Sequence, residues 1–86
     1  MKVRFLPIFA RYLNRLDSKL QQEAIEKIEL FKEKRNHKQL KVHRLHERLA
    51  RRYSFYVNYK TRIVFSYLSK NEVALLAIGN HAVYDK

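Results

Sequence analysis

The apolar positions of this chain recur first at helical and then at strand spacing. Lys2 to Phe5 alternates charged and apolar residues, which predicts a short edge strand. Pro7 stands where a first helical residue tolerates a missing N–H, and Phe9, Leu13, Leu16 and Leu20 continue at helical spacing. Asp17-Ser18 interrupts that run. Ser18 followed three residues later by Gln21 is a capping-box pattern, so a second helix starts there. Leu20, Ala24, Ile28 and Phe31 form one stripe with Ile25 beside it, and Glu23, Glu26, Lys27 and Glu29 fill the remainder. Glu23 and Lys27 form a favourable i, i+4 pair. The spacing predicts a helical hairpin over about residues 7–16 and 18–35.

Segment 37–52 mixes Leu40, Val42, Leu45 and Leu49 with basic residues, a pattern open to a loop with a partial strand or to a helical turn. After it the period becomes two. Tyr53 to Tyr59 places Phe55 and Val57 on one face and Ser54, Tyr56 and Asn58 on the other. Lys60-Thr61 permits a turn. Arg62 to Leu68 is rich in β-branched and aromatic residues, Ser69-Lys70-Asn71 turns again, and Glu72 to Ile78 makes a third strand. Such short connections require antiparallel neighbours. The expected architecture is a single α+β domain, residues 1–86, with an N-terminal strand and a helical hairpin packed on one face of a small antiparallel β-sheet. The other face is left open, with Tyr56, Asn58 and Arg62 as its residents, and suits an RNA surface.

Charge sharpens this picture. The 86 residues carry 19 Lys and Arg against 8 Asp and Glu, a net +11. Residues 1–31 contribute +2, residues 32–62 contribute +9, and residues 63–86 contribute nothing. A charge concentrated in the middle third implies a localised anionic partner, nucleic acid first and an acidic protein second. With no cysteine there is neither a disulfide framework nor a thiolate metal site. Met1-Lys2-Val3-Arg4 lacks the features of a signal peptide, and no apolar run approaches the ~20 residues of a membrane span, so the expected location is cytoplasmic.

Few residues remain for chemistry. His43-x-x-His46 has a ligand-like spacing but no supporting cluster, and a single glycine, Gly79, excludes a glycine-rich phosphate loop. The expectation is a chain without metal or cofactor. Metal-free phosphodiester chemistry fits the residue types better. RNA supplies its own nucleophile, the 2′-OH, and a protein need only align it, take its proton, stabilise the phosphorane-like charge and protonate the leaving oxygen. His81, just past the third strand beside Gly79, is placed to present an imidazole. Arg62, which cannot deprotonate, suits phosphate stabilisation. Tyr84, Tyr56 and His43 are the remaining candidates to orient groups or exchange protons. Lys38, Lys41, Arg44, Arg48, Arg51, Arg52 and Lys60 form the expected RNA-binding set.

Four stretches together resemble a known family: Leu40-Lys41-Val42-His43-Arg44-Leu45, Tyr53-Ser54-Phe55-Tyr56-Val57, Thr61-Arg62-Ile63-Val64-Phe65 and Ile78-Gly79-Asn80-His81-Ala82-Val83-Tyr84. They are similar to the RelE/ParE toxins of type II toxin–antitoxin systems, nearest the RelE- and YafQ-like messenger-RNA interferases. The resemblance implies a ribosome-dependent endoribonuclease that holds messenger RNA in the ribosomal A site, cleaves by 2′-OH attack without metal, and is neutralised by an acidic antitoxin. It implies that Arg62 contacts the scissile phosphate, His81 is the general acid, Tyr84 orients substrate, and His43 matches a family histidine. Tyr56 falls where that branch has a second sheet histidine or a lysine. The chain departs from the family at Lys60, where an aspartate is usual, so the general base stays open between His43 and Tyr56. The alternatives in function are a ParE-like gyrase inhibitor without nuclease activity and a non-toxic basic binding module.

Overall fold

A computed structural model of the chain describes residues 1–45 and 51–80. The elements run β1 (Lys2–Phe5), α1 (Pro7–Asn14), α2 (Ser18–Phe31), a short 3-10 turn (Lys34–Asn36), β2 (His43–Arg44), β3 (Tyr53–Tyr56), β4 (Arg62–Ser69) and β5 (Glu72–Gly79). The sheet order is β1-β5-β4-β3-β2. β2, β3, β4 and β5 pair antiparallel, as their short connections demand. The expected purely antiparallel sheet is corrected at one edge, where β1 lies parallel to β5 with Val3 opposite Val73. The reason is chain length: the hairpin and the whole meander separate β1 from β5, long enough for a crossover. The architecture is otherwise the α+β arrangement that the pattern predicts.

The helix boundaries follow from how the terminal backbone groups are satisfied. α1 closes at Asn14, with Arg15 and Leu16 folded back on the carbonyls of Tyr12 and Leu13. Asp17, not Ser18, caps α2: its extended backbone presents Oδ1 to the Leu20 N–H at 2.9 Å. α2 ends at Phe31 rather than near residue 35. Extended backbone at Glu33 breaks it, and Asn36 Nδ2 and His37 Nε2 donate to the terminal carbonyls of Leu30 and Phe31.

The stripe read from the sequence forms the core. Ala24, Ile28 and Phe31 of α2 and Phe9 and Leu13 of α1 are buried against Phe55, Ile63, Phe65, Val73, Leu75 and Ile78 of the sheet. Phe31 lies between two parallel rings, His37 at 4.7 Å and Phe55 at 4.3 Å, and meets Phe65 edge-on. Such pairs contribute about 0.5–1.5 kcal/mol each beyond buried area. This sandwich joins α2, the turn that follows it and β3.

Of the ambiguous segment after α2, residues 37–44 form a turn followed by a two-residue strand. Leu40 is buried, its carbonyl accepts from Tyr56 N–H, and Lys41 takes a left-handed backbone with φ 56°. β3 stops at Tyr56, earlier than expected, because Asn58 Oδ1 accepts from Lys60 and Thr61 N–H and turns the chain there. Phe31→Ala is expected to cost about 3–5 kcal/mol. Ile25→Ala, at a position 45% exposed, should stay within about 0.5 kcal/mol. Urea unfolding midpoints of the two variants check the pair.

Candidate nucleic-acid interface and active site

Neighbouring side chains of one strand point to opposite faces. Phe55 stacks on Phe31 and so faces the helices, which sends Ser54 and Tyr56 to the other face. His43 is the register partner of Ser54, and Arg62 that of Tyr56. Four candidate groups therefore share the sheet face away from the hairpin: His43, Ser54, Tyr56 and Arg62. β5 adds only small groups beside them, Gly79 opposite Arg62 and Ala77 opposite Val64.

That face is not open at its centre. Ser54 is 0% exposed, Arg62 2% and Val64 5%. The Arg62 guanidinium sits over the Tyr56 ring, its central carbon 3.4 Å from the centroid, and its Nη1 donates to the carbonyls of Asn58 at 2.7 Å and Thr61 at 3.2 Å. A desolvated cation on an aromatic face is worth about 2 kcal/mol, and the two carbonyls fix the guanidinium in the β3–β4 turn. Asn58, expected on this face, instead donates to Glu23 Oε1 of α2 at 3.0 Å, because the turn re-aims it.

His43 is exposed at the sheet edge with a defined tautomer. Its Nδ1 stands 2.9 Å from the Lys41 carbonyl, which can only accept, so in the neutral ring Nδ1 carries the hydrogen. Nε2 is then left with a lone pair, and the hydroxyl of Ser54, 3.4 Å away, is oriented towards it. A neutral imidazole with a lone pair on Nε2 is chemically a proton acceptor. The left-handed turn at Lys41 creates this geometry: it aims the carbonyl at His43 and brings the ammonium to 5.5 Å from the Tyr56 ring. His37 plays no part in the site, since it is held against Phe31 and its Nε2 donates to that residue's carbonyl.

Of the remaining candidates, Lys38, Lys41, Arg44, Arg51, Arg52 and Lys60 are exposed. Arg44, next to His43, turns to the helix-side face beside Tyr53 and Tyr67. His81 and Tyr84, the expected general acid and orienting residue, and Arg48 and His46 lie outside the described residues. Ser54 was missed by sequence reasoning; the signal available was its position two residues before Tyr56 on the alternating strand. Among the described residues no three His, Cys, Asp or Glu gather as a metal site, and no helix is long and apolar enough to cross a membrane.

Comparison with solved structures places the fold. The chain shares the fold of RelE/YoeB-type toxins. It superposes on a chain of the toxin–antitoxin complex RelBE2 of Mycobacterium tuberculosis with a TM-score of 0.74 at 19% identity, covering 93% of this chain and 96% of that one. It matches a chain of the YoeB–YefM complex of Staphylococcus aureus at 0.69 and 18% identity, covering 94% and 97%. A chain of the archaeal RelE–RelB complex of Pyrococcus horikoshii matches at 0.70 and 12% identity, covering 95% and 96%. At these identities the likeness is one of fold. No family model and no curated protein matches the sequence.

The neutral form of His43 should be the Nδ1–H tautomer and that of His37 the Nε2–H tautomer, read from long-range proton–nitrogen spectra of the imidazole rings. A His43 ring protonated chiefly at Nε2 would contradict the geometry. At Lys41 a non-glycine residue stores about 1–2 kcal/mol of left-handed strain. Lys41→Gly is therefore expected to hold or raise the melting temperature, whereas Lys41→Val lowers it.

Proposed function

We propose that this chain is the toxin of a toxin–antitoxin pair and acts as a metal-independent, ribosome-dependent endoribonuclease on messenger RNA. The observation that carries the reading is the convergence of His43, Tyr56 and Arg62 on one sheet face, with the basic Lys41 beside them. The toxin–antitoxin complexes that share the fold, and the sequence resemblance at His81 and Tyr84, support the same reading. A net charge of +11 also calls for an acidic partner, since so cationic a surface repels itself and attracts anions indiscriminately.

In this mechanism the 2′-oxygen attacks the adjacent phosphorus. The new O–P bond forms as the P–O5′ bond breaks. His43 Nε2 accepts the 2′-proton, and His81 gives a proton to the departing 5′-oxygen. Lys41 and Arg62 offset the charge on the phosphorane-like transition state. The products are a 2′,3′-cyclic phosphate and a 5′-hydroxyl. The exposed cations Lys38, Lys41, Arg44, Arg51, Arg52 and Lys60 hold the ribosomal and messenger backbone, so binding weakens steeply with salt.

His43→Ala and His81→Ala should each lower cleavage of translated messenger RNA by about 10²-fold or more, the usual contribution of a general base or acid. Primer extension with end-group analysis reads this directly; full cleavage by both variants would sink the assignment. Arg62→Ala is a poorer test than the sequence implied, because the buried guanidinium also holds the β3–β4 turn. Its burial favours a second reading, a gyrase-inhibiting binding protein on the same fold with a structural arginine. Inhibited supercoiling with intact messenger RNA after induction would establish that reading instead.

A further inference from the structure

A second cluster stands on the opposite side of the sheet, where the hairpin does not reach. Arg44, Arg51, Tyr53 and Tyr67 line an open hollow of about 230 Å³. Tyr53 and Tyr67 meet edge to face at 4.9 Å, and both pack on Phe65 of the core, at 5.6 Å and 5.5 Å. Tyr67 is nevertheless 39% exposed. Its phenol is raised above the ordinary tyrosine range by burial and then by Tyr53, so it keeps its proton as a donor. The described lining residues include no acid and no aliphatic side chain.

We propose that this hollow is a second contact for single-stranded RNA, taking one unpaired base on the tyrosine platform and its phosphate on the arginines. The proposal rests on the RNA-binding reading above and extends it to the other side of the molecule. Unpaired bases stack on aromatic rings and guanidinium planes, and this site offers both, with the rings pre-set by the core. The volume lies below the ~300–1,000 Å³ of pockets that enclose a drug-sized ligand, which fits one planar base rather than a free metabolite. An apolar partner helix would find no aliphatic anchor there. The edge strand supplies the link: His43 points to the catalytic face and Arg44, the next residue, to the hollow, so an RNA strand rounding the β2 edge meets both.

The test is fluorescence anisotropy of a labelled oligouridylate, 2′-fluoro-substituted so that it cannot be cut, with the whole chain at several salt concentrations. Tyr67→Ala should weaken binding roughly tenfold, the order of one lost stack, while Tyr67→Phe, which keeps the ring, stays near wild type. Arg51→Ala should weaken binding and lower the slope of log affinity against log salt by about 0.7, one phosphate contact on a single strand. Wild-type affinity in both Tyr67→Ala and Arg51→Ala, with their melting temperatures unchanged, overturns the proposal and leaves the RNA reading intact. Failure of the wild type itself to bind the oligouridylate also overturns the second contact, whereas the ribosome-dependent reading stands or falls with the cleavage of translated messenger RNA. If Tyr67→Ala spares RNA but abolishes binding of a synthetic glutamate-rich helical peptide, the hollow docks protein and the proposal is likewise overturned.

Discussion

The stacking of Phe31 between His37 and Phe55 decides where everything downstream of the hairpin goes. A helix of this amphipathic pattern has no intrinsic reason to stop at Phe31. It stops because His37 folds back, lays its ring on Phe31 and donates to the same residue's carbonyl, while Asn36 takes the carbonyl of Leu30. The chain must then reverse at once. Leu40 enters the core, Lys41 adopts the left-handed backbone that the tight reversal needs, and His43 arrives opposite Ser54. A packing interaction on the helix side of the sheet thereby fixes the tautomer of an imidazole on the other side.

Electrostatics set the second constraint. A chain with so much positive charge folds by keeping nearly all of it in solvent; among the described arginines only Arg62 is buried. Its guanidinium leaves water for a tyrosine face and two carbonyls. Partly replacing hydration with fixed dipoles and a quadrupole makes burial of a cation affordable. It also makes the guanidinium a rigid, pre-oriented charge, and fixed charge of that kind acts on a transition state without reorganising. The chemical duty proposed for Arg62 therefore falls on a side chain that already holds the β3–β4 turn, so the histidines are the cleaner probes of that proposal.

Periodicity made most of the architecture legible, because burial of one face is a local property of the sequence. The stripe Leu20-Ala24-Ile28-Phe31 and the alternation from Tyr53 onward both map to the core side. The sequence was less informative wherever a partner came from far along the chain. Asp17 and Ser18 are both good caps, and only the backbone turn before α2 chooses Asp17. Asn58 reads as a strand residue until its side chain is seen bonding two N–H groups of the turn and reaching Glu23, 35 positions earlier. The parallel pairing of β1 was invisible because it depends on where a long crossover returns. At the site, the strand period alone paired Tyr56 and Arg62 on a face, but their stacking and burial needed the β3–β4 register.

The sheet edge has a consequence that neither face has alone. A two-residue strand is a weak element by itself, since β2 touches only β3 and contributes little buried area. Its place is held instead by Leu40 and Leu45 on either side, both buried in the core. Short edge strands bearing cations resist pairing with other chains, and His43-Arg44 has that character. The same features that protect the edge keep it exposed to a polyanion, and because adjacent residues of a strand face opposite ways, one dipeptide serves both sides of the sheet. A cation-bearing edge that resists pairing with another strand also stays open to an anionic partner, the kind of partner that charge concentrated in the middle third of the chain calls for.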